Sequence, residues 1–229
     1  MRNVAVILAG GSGVRLGSTT PKQFLEIAGK QVIQYSIEAF HNCPLIDEVC
    51  IVTRQDYQQA IETLVRQNGY TKVRHILHGG KERYHSSLAA INAYPDDNVN
   101  LLFHDAVRPA VPEQAIIDCI HALERYNAVC VATTTTDTIF QINADNCIAA
   151  VPDRNILRNA QTPQCFKRGL IRRAYDIALQ DPHFQTTDDC GTVLRYLPNE
   201  PIFLVEGAHT NIKLTYPEDL ILLEQILKA

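Results

Sequence analysis

Residues 4–22 read VAVILAGGSGVRLGSTTPK, an apolar run followed at once by a glycine-rich segment. Val4 to Leu8 has the length and the apolar side chains of a buried strand. Gly10, Gly11 and Gly13 come directly after it, where an open parallel sheet binds its ligands and where glycine lets backbone N–H groups approach an anion. The stretch therefore predicts an α/β fold with a phosphate site at the end of its first strand.

The rest of the chain continues this alternation of apolar strands and amphipathic helices. Further short runs rich in Val, Ile and Leu predict strands at residues 48–52, 73–77, 100–104, 128–132 and 202–205. Helical periodicity predicts helices at residues 31–40, 55–66, 84–92, 112–125, 168–179 and 217–227. Such alternation is typical of a mostly parallel sheet with helices on both faces, so we expect a single α/β domain over residues 1–229.

Residues 133–164 interrupt the alternation. Here β-branched runs flank Asn143-Ala144-Asp145-Asn146, a pattern that predicts a β-hairpin. A two-stranded ribbon is marginally stable alone, so a projecting arm over residues 133–158 is expected to pack on another surface. A second copy of the chain is the simplest candidate, and the sequence thus predicts a homodimer through this arm.

The amino-acid composition argues against several classes of protein. The 229 residues carry 21 Lys and Arg against 25 Asp and Glu, a formal net charge of -4, which argues against a nucleic acid or an anionic membrane as the main partner. No apolar run approaches the ~20 residues that span a bilayer, so we expect a cytoplasmic protein. The seven cysteines are odd in number and lack C-x-x-C spacing, which favours small core residues over disulfides or zinc ligands.

The glycine-rich segment fits neither of two common phosphate loops. The dinucleotide fingerprint needs a third glycine where Leu16 stands, and the P-loop needs a Gly-Lys-Ser/Thr sequence that the chain lacks. Two cations, Arg15 and Lys22, instead flank a turn rich in Gly, Ser, Thr and Pro. This pattern leaves two interpretations: a solvated loop with two surface charges, or a binding loop for a triphosphate.

A second polar cluster, Phe103-His104-Asp105-Ala106-Val107-Arg108-Pro109, closes a predicted strand. Asp105 would lie at the same sheet edge as the glycines, where its carboxylate could hold Mg²⁺ against phosphate oxygens. The alternative is that Asp105 only ties down its own loop through hydrogen bonds to the backbone. Further short polar segments lie at residues 153–155, 162–164, 187–189 and 211–215. Each could bind a phosphomonoester, or could equally serve as a helix cap or a turn.

Together these motifs resemble a known family. The chain carries, in this order over residues 4–227, the motifs L-A-G-G-S-G-V-R-L-G, P-K-Q-F-L, H-D-A-V-R-P, T-D-T, D-R-N, T-P-Q, T-D-D and N-I-K-L-T-x-P-E-D-L. In these it is similar to the cytidylyltransferases that act on 2-C-methyl-D-erythritol 4-phosphate or on ribitol 5-phosphate. The resemblance implies a three-layer, Rossmann-like nucleotidyltransferase fold, a homodimer interlocked by the arm, CTP and Mg²⁺ as co-substrate and cofactor, and pyrophosphate as product.

The resemblance also implies roles for individual residues. The residues expected to receive CTP are Leu8, Ala9, Gly10, Gly11, Ser12, Gly13, Arg15, Lys22, Gly80, Lys81, Ser86, Asp105 and Ala106. Those expected to bind the acceptor phosphate are Asp105, Arg108, Thr162, Thr187 and Lys213, with Thr138 and Arg154 reaching over from the partner's arm. Asp105 would also be the metal ligand. Arg15, Lys22 and Lys213 would be the catalytic cations that neutralise charge in the transition state.

Different motifs indicate different acceptor substrates. Ala9-Gly10-Gly11 and Val107 are similar to the ribitol branch, whereas residues 187–189 and 153–155 are similar to the methylerythritol branch. Methylerythritol phosphate, a substrate of isoprenoid precursor synthesis, is favoured, with ribitol phosphate and CDP-ribitol for cell-wall or capsule polymers as the alternative. More remote alternatives are a transferase for another nucleotide, a non-catalytic nucleotide-binding regulator and a structural dimerisation module, which pyrophosphate release with CTP would exclude.

Overall fold

The computed structural model describes residues 1–11 and 20–228, and a seven-stranded sheet forms its centre. The strands of this sheet are β1 (Arg2–Ala9), β4 (Glu48–Thr53), β5 (Val73–His78), β6 (Val99–Asp105), β7 (Ala128–Thr134), β10 (Arg158–Lys167) and β11 (Ile202–Glu206). Two separate strand pairs are β2 (Glu26–Ile27) with β3 (Lys30–Gln31) and β8 (Gln141–Ile142) with β9 (Ile148–Ala150). The large sheet has the order β11-β7-β10-β6-β1-β4-β5, and within it β10 runs antiparallel to both of its neighbours.

Helices cover both faces of this sheet. The helices are α1 (Val32–Asn42), α2 (Gln58–Gln67), α3 (Arg83–Ala93), α4 (Glu113–Ala122), α5 (Arg168–Ala178), α6 (Asp189–Tyr196) and α7 (Pro217–Lys228). Side chains alternate along a strand: Ala5 and Ile7 of β1 join one buried core with α1, α2 and α4, whereas Val4 and Val6 join a second with α3, α5 and α6. The predicted three-layer α/β fold is therefore confirmed.

The parallel strands bring several loops to one edge of the sheet. β1 and β6 pair in parallel and end together, with Leu8 opposite Asp105. The antiparallel β10 begins at this edge, and the loop that follows β11 returns to it. Backbone hydrogen bonds hold these loops together: the Ala106 N–H donates to Leu8 O at 3.1 Å and the Leu214 N–H donates to Val107 O at 2.9 Å. This edge is where the predicted site residues can converge.

Every strand and helix predicted from the apolar runs is present, but the short pair β2 and β3, the strand β10 and the helix α6 were not predicted. β10 reads RNAQTPQCFK, in which Pro163 and several polar residues argue against an interior strand. Its polar side chains Gln161, Thr162 and Gln164 are nevertheless buried, because each finds hydrogen-bond partners inside the fold. α6 is short and contains a glycine, so its periodic signal is weak.

Two expectations from composition are testable in the fold. Cys43, Cys50, Cys119, Cys130 and Cys165 are buried, as predicted for core residues, whereas Cys190 is partly exposed and Cys147 is exposed. Among the described helices, none combines the length and the apolar composition needed to cross a bilayer.

The segment between β7 and β10 lies on the surface. β8 and β9 pair as an antiparallel hairpin, and Asn143 shapes its turn because Oδ1 accepts hydrogen bonds from the N–H groups of Asp145 (3.0 Å) and Cys147 (2.9 Å). The segment exposes a series of large apolar side chains: Ile139, Phe140, Ile142, Ile148, Val151 and Ile156. Such a cluster is unusual on the surface of a monomer and is typical of an interaction surface.

Candidate functional site

A cavity of about 210 Å³ opens at the edge where β1 and β6 end. Its lining residues are Leu8, Ala9, Gly10, Gly11, Gln23, Gly80, Lys81, Glu82, Arg83, Ser86, Asp105, Ala106, Val107 and Lys213. All of the described residues predicted to receive CTP line it, with the exception of Lys22. The predictions for Ser12, Gly13 and Arg15 fall outside the described residues. The structure thus brings one side of the predicted site together in a single cavity.

Gln23 fixes the start of the glycine-rich segment, although the sequence analysis did not single it out. It lies in a short 3-10 helix, Lys22–Phe24, and is 1 % exposed. Its Nε2 donates to Ala9 O at 3.0 Å and to Gly11 O at 3.2 Å. This amide therefore clamps the backbone on both sides of Gly10.

Glycine is required at one cavity position and optional at another. A Cβ on Gly80 would lie 2.6 Å from the Cβ of His85, a distance that real Cβ atoms do not adopt. A Cβ on Gly10 would lie 3.5 Å from Ser86 Oγ, an ordinary van der Waals contact. An alanine would therefore fit at position 10, so the surrounding atoms do not require a glycine there.

Asp105 is surrounded by positive charge. Its side chain is 11 % exposed, and its Oδ2 accepts a hydrogen bond from Lys213 Nζ at 2.8 Å. Arg83 Nε lies 3.7 Å from Oδ1 and Arg108 Nε lies 3.8 Å from Oδ2. Burial alone would raise the pKa of Asp105, but the charges of Arg83, Lys213 and Arg108 outweigh it and hold the pKa well below its ordinary value. Asp105 is therefore ionised throughout the physiological pH range.

The residues around Asp105 are a poor fit for a magnesium ion held by the protein alone. The described residues contain no group of three His, Cys, Asp or Glu side chains that could hold a metal. A divalent cation at Asp105 would also meet the repulsion of three neighbouring cations. The described residues do not form a magnesium site by themselves, and the assignment of Asp105 as a metal ligand stays a prediction.

His104 and Thr162 hold the loop that carries Asp105. His104 is fully buried, with Nε2 3.0 Å from Arg108 O and Nδ1 3.0 Å from Thr162 Oγ1. Because Nε2 faces a carbonyl, we assign the proton to Nε2, so that Nδ1 accepts from the Thr162 hydroxyl. The Asp105 N–H in turn donates to Thr162 Oγ1 at 3.2 Å. Thr162, predicted to bind the acceptor, thus lies behind Asp105 and supports it.

Replacing His104 with glutamine should change how stability depends on pH. Burial lowers the pKa of His104 from 6.5 to about 4. Between these values the unfolded state binds more protons than the folded state, so the free energy of unfolding falls as the pH falls, by up to ~1.4 kcal/mol per pH unit from this group. In urea denaturation at a series of pH values within this window, H104Q should show a shallower slope than the wild type. An unchanged slope would contradict the assignment.

Two predicted cations are held by backbone carbonyls of the loop that carries Lys213. Arg108 Nη1 donates to Asn211 O at 2.7 Å. Lys22 is 7 % exposed, and its Nζ donates to Thr215 O at 2.9 Å and to Leu214 O at 3.4 Å. Lys22 therefore holds this loop from one side and Arg108 holds it from the other. Together these two contacts set the position of Lys213.

The remaining predicted acceptor residues lie elsewhere in the described chain. Thr187 is exposed just before α6, in a second opening that it shares with Glu82 and Gln185. Thr138 and Arg154 are exposed on the surface segment between β7 and β10, where Arg154 Nη1 donates to Thr136 O at 3.2 Å. None of these three side chains lines the cavity that contains Asp105.

Arg83 was also missed by sequence reasoning. It lines the cavity, and its Nη1 donates to Asp189 Oδ2 at 2.5 Å. The available signal was local: an arginine three residues after Gly80, in the loop between a predicted strand and a predicted helix and directly before that helix.

Comparison with known proteins places this geometry in a family. The sequence model of 2-C-methyl-D-erythritol 4-phosphate cytidylyltransferase (IspD) matches residues 3–229. An enzyme of that name from Thermobifida fusca is 46% identical, covering 100% of this chain and 94% of the relative. A bifunctional ribulose 5-phosphate reductase/CDP-ribitol pyrophosphorylase from Haemophilus influenzae is 42% identical, covering 100% of this chain and 48% of the relative.

A solved structure agrees with both sequence and fold. The crystal structure of 4-diphosphocytidyl-2C-methyl-D-erythritol synthase from Anaerococcus prevotii has a TM-score of 0.88 and 30% identity, covering 100% of this chain and 96% of that one. The chain therefore belongs to the 2-C-methyl-D-erythritol 4-phosphate cytidylyltransferase family and is a CTP-dependent nucleotidyltransferase.

Proposed function

We propose that the protein transfers CMP from CTP to 2-C-methyl-D-erythritol 4-phosphate, giving the CDP-alcohol and pyrophosphate. The observation that carries the proposal is the pairing of buried Asp105 with half-exposed Lys213 at the wall of a glycine-lined cavity. This pair presents one fixed ammonium group where two phosphorylated substrates would meet. Membership of the family supports the reaction class, and the relative from T. fusca supports the acceptor.

The chemistry needs positioning and charge rather than a base. A phosphate oxygen of the acceptor forms a bond to the α-phosphorus of CTP, and the bond from that phosphorus to the bridging oxygen breaks to release pyrophosphate. The nucleophile is already an anion, so the protein must offset the repulsion between two polyanions and stabilise the charge of the transition state. Lys213, whose ammonium donates to Asp105 at the wall of the cavity, is preorganised for this task. Lys22, whose ammonium is bound to a carbonyl of the loop that carries Lys213, is proposed as the second cation. Arg15 is proposed as the third cation.

We propose that Mg²⁺ binds with CTP, through the oxygens of the triphosphate. The ion when bound neutralises part of the phosphate charge. This assignment agrees with the three cations around Asp105, which disfavour a metal held by the protein alone. Asp105 would hold Lys213 in place and accept hydrogen bonds from the nucleotide, and its contact with an ion brought in by CTP stays a prediction.

Ribitol 5-phosphate is the second candidate acceptor. It is favoured by the relative from H. influenzae, which is similar over the whole of this chain, and by Val107, which lines the cavity in the motif similar to the ribitol branch. Gly10 also belongs to a motif similar to the ribitol branch, although an alanine would fit at this position. The choice therefore needs a direct measurement.

The acceptor can be identified with a panel of polyol phosphates. The protein is incubated with CTP and Mg²⁺ and, separately, with methylerythritol 4-phosphate, ribitol 5-phosphate or glycerol 3-phosphate, and pyrophosphate release is measured. We expect the highest kcat/KM with methylerythritol 4-phosphate. A higher value with ribitol 5-phosphate would replace the proposed acceptor, and no release with any of the three would overturn the enzymatic function.

We further propose that a homodimer through the surface hairpin completes the site. Support comes from the exposed apolar side chains of the hairpin and from Thr138 and Arg154, which lie on this segment and not at the cavity. Burying the apolar side chains of two arms against partner subunits would stabilise a dimer. Arg154 of one chain would then reach the cavity of the other.

Charged substitutions on the hairpin should separate the subunits. In the variant I142D/I148D, two side chains that are 57% and 59% exposed become carboxylates, which removes apolar contact area and adds repulsion at the interface. We expect sedimentation to show a monomer, with kcat/KM lowered at least about tenfold by the loss of the partner's residues. Ile177→Asp on α5, where the side chain is 44% exposed, is the matched control and should remain dimeric and active.

Mixing two inactive variants tests the shared site directly. Lys213→Ala and Arg154→Ala should each be nearly inactive alone. After the two proteins are unfolded and refolded together, mixed dimers would contain one site with both residues intact and should recover roughly a quarter of wild-type activity, by the statistics of random pairing. No recovery in dimers shown to be mixed would contradict the contribution of Arg154 across the interface.

A further inference from the structure

A buried ion pair joins the nucleotide cavity to helix α6. Arg83 is the first residue of α3, and the loop just before it, residues 80–82, lines the cavity. Its Nη1 donates to Asp189 Oδ2 at 2.5 Å, while its Nε lies 3.7 Å from Asp105 Oδ1. One guanidinium group therefore lies between two carboxylates that belong to different parts of the fold.

Asp189 is a buried and hydrogen-bonded partner of this arginine. It is fully buried, and its Oδ1 accepts a hydrogen bond from the Tyr175 hydroxyl at 2.6 Å. Its backbone N–H donates to Gln164 Oε1 at 3.0 Å. Asp189 is also the first residue of α6, directly after Thr187 and Asp188, the segment proposed to contact the acceptor. A movement of that segment is therefore transmitted to Asp189 and to the arginine bound to it.

The guanidinium group of Arg83 is not fully hydrogen-bonded. Buried guanidinium groups are normally satisfied at every nitrogen, but Nη2 is buried and has no hydrogen-bond partner among the described residues. The two carboxylates, rather than complete hydrogen bonding, thus account for its position. A planar guanidinium can contact two carboxylates at once, which the single ammonium of a lysine does less well.

We infer that Arg83 is a positioning residue that couples the binding of the two substrates, by fixing Asp105 on the nucleotide side to α6 on the acceptor side. The inference rests on the proposed function, because it assigns the two sides to CTP and to a polyol phosphate. A substrate that orders one end of this bridge reduces the cost of ordering the other end for the second substrate. Linkage requires the same coupling factor in both directions.

The coupling is measured by calorimetric titration. The dissociation constant of the polyol phosphate that supports pyrophosphate release is determined with Mg²⁺, in the absence and in the presence of saturating CTP analogue with a methylene group between the α- and β-phosphorus atoms. In the wild type we expect the analogue to strengthen acceptor binding at least about fivefold. In Arg83→Gln the ratio should fall to near one. The reverse titration should give the same ratios.

A matched control lies on the same helix. Arg195 in the last turn of α6 forms an ion pair with Asp181, with Nη2 2.7 Å from Oδ2, at the end remote from Asp189. Arg195→Gln breaks a charged contact of α6 without touching the bridge, and it should keep the wild-type ratio. Arg83→Lys restores the charge but not the two-sided contact, and its ratio should stay well below that of the wild type.

Loss of folding can be separated from loss of coupling. Arg83→Gln alone leaves the buried Asp189 carboxylate without its cation, so it lowers the melting temperature. The double variant R83Q/D189N removes both charges and should recover much of that temperature while its coupling ratio stays near one. Wild-type coupling in the double variant, or a ratio of one in the wild type, would overturn the inference. Pyrophosphate release by the wild type tests the proposed function independently of either result.

Discussion

Replacing Lys22 with alanine is expected to lower kcat at least about a hundredfold, and replacing Arg15 with alanine is expected to do the same. Each variant would lose one positive charge that is proposed to act where two polyanions must approach. Lys22 is 7 % exposed, and its ammonium is already oriented by the carbonyl oxygens of Thr215 and Leu214. Loss of Lys22 would therefore also release the loop that carries Lys213.

These variants are compared in steady-state pyrophosphate release at saturating CTP and acceptor. Lys30→Ala is the matched control, because Lys30 is 45% exposed and forms a surface ion pair with Glu38 at 2.6 Å. Surface pairs of this kind contribute little, so Lys30→Ala should keep normal kcat. Near-normal kcat in both Lys22→Ala and Arg15→Ala, with folding verified by circular dichroism, would contradict the proposed roles of these cations.

Replacing Asp105 with asparagine is expected to lower the free energy of unfolding by about 3 kcal/mol and to lower kcat/KM at least about a hundredfold. The substitution keeps the shape of the side chain but leaves Lys213, Arg83 and Arg108 without their shared counter-charge. Lys213 then loses the contact that fixes its ammonium group. Both effects have the same origin, so they should appear together.

Urea denaturation and pyrophosphate release measure the two effects. Asp97→Asn is the control: this carboxylate is 74% exposed and contacts Arg168 at 2.8 Å, so its loss should change stability by less than about 1 kcal/mol. The double variant D105N/K213M removes one of the uncompensated cations and should regain part of the stability but none of the activity. An Asp105→Asn protein as stable as the wild type would be incompatible with the charge distribution described above.

Much of the fold was predictable because the signals are local. Short apolar runs predict the buried strands, and the parallel arrangement brings the residues that follow these strands to one edge of the sheet. Gly10, Asp105 and Lys213 lie far apart in the sequence, yet the structure places all three around one cavity. That these three motifs form one site was expected only from the family resemblance. No single segment of the sequence specifies it.

The contacts that were missed are long-range. β10 looks unlike an interior strand because the partners that satisfy its polar side chains lie in distant segments. Arg83 and Asp189 are separated by 106 positions, and neither residue carries a local sign of the other. Thr162 was assigned to the acceptor, but the structure shows its hydroxyl engaged with His104 and with the Asp105 backbone. Such side-chain pairings are decided by the packing of the sheet edge.

Following the α-phosphorus of CTP into the products tests most directly whether the protein transfers CMP to the acceptor. CTP labelled with ³²P at the α-position is incubated with the protein, Mg²⁺ and methylerythritol 4-phosphate, and the products are separated. Cytidylyl transfer predicts that the label appears in the CDP-alcohol, in amounts equal to the unlabelled pyrophosphate released. Label that stays in CTP, or that appears in CDP while the acceptor gains an unlabelled phosphate, would contradict transfer of CMP at this site.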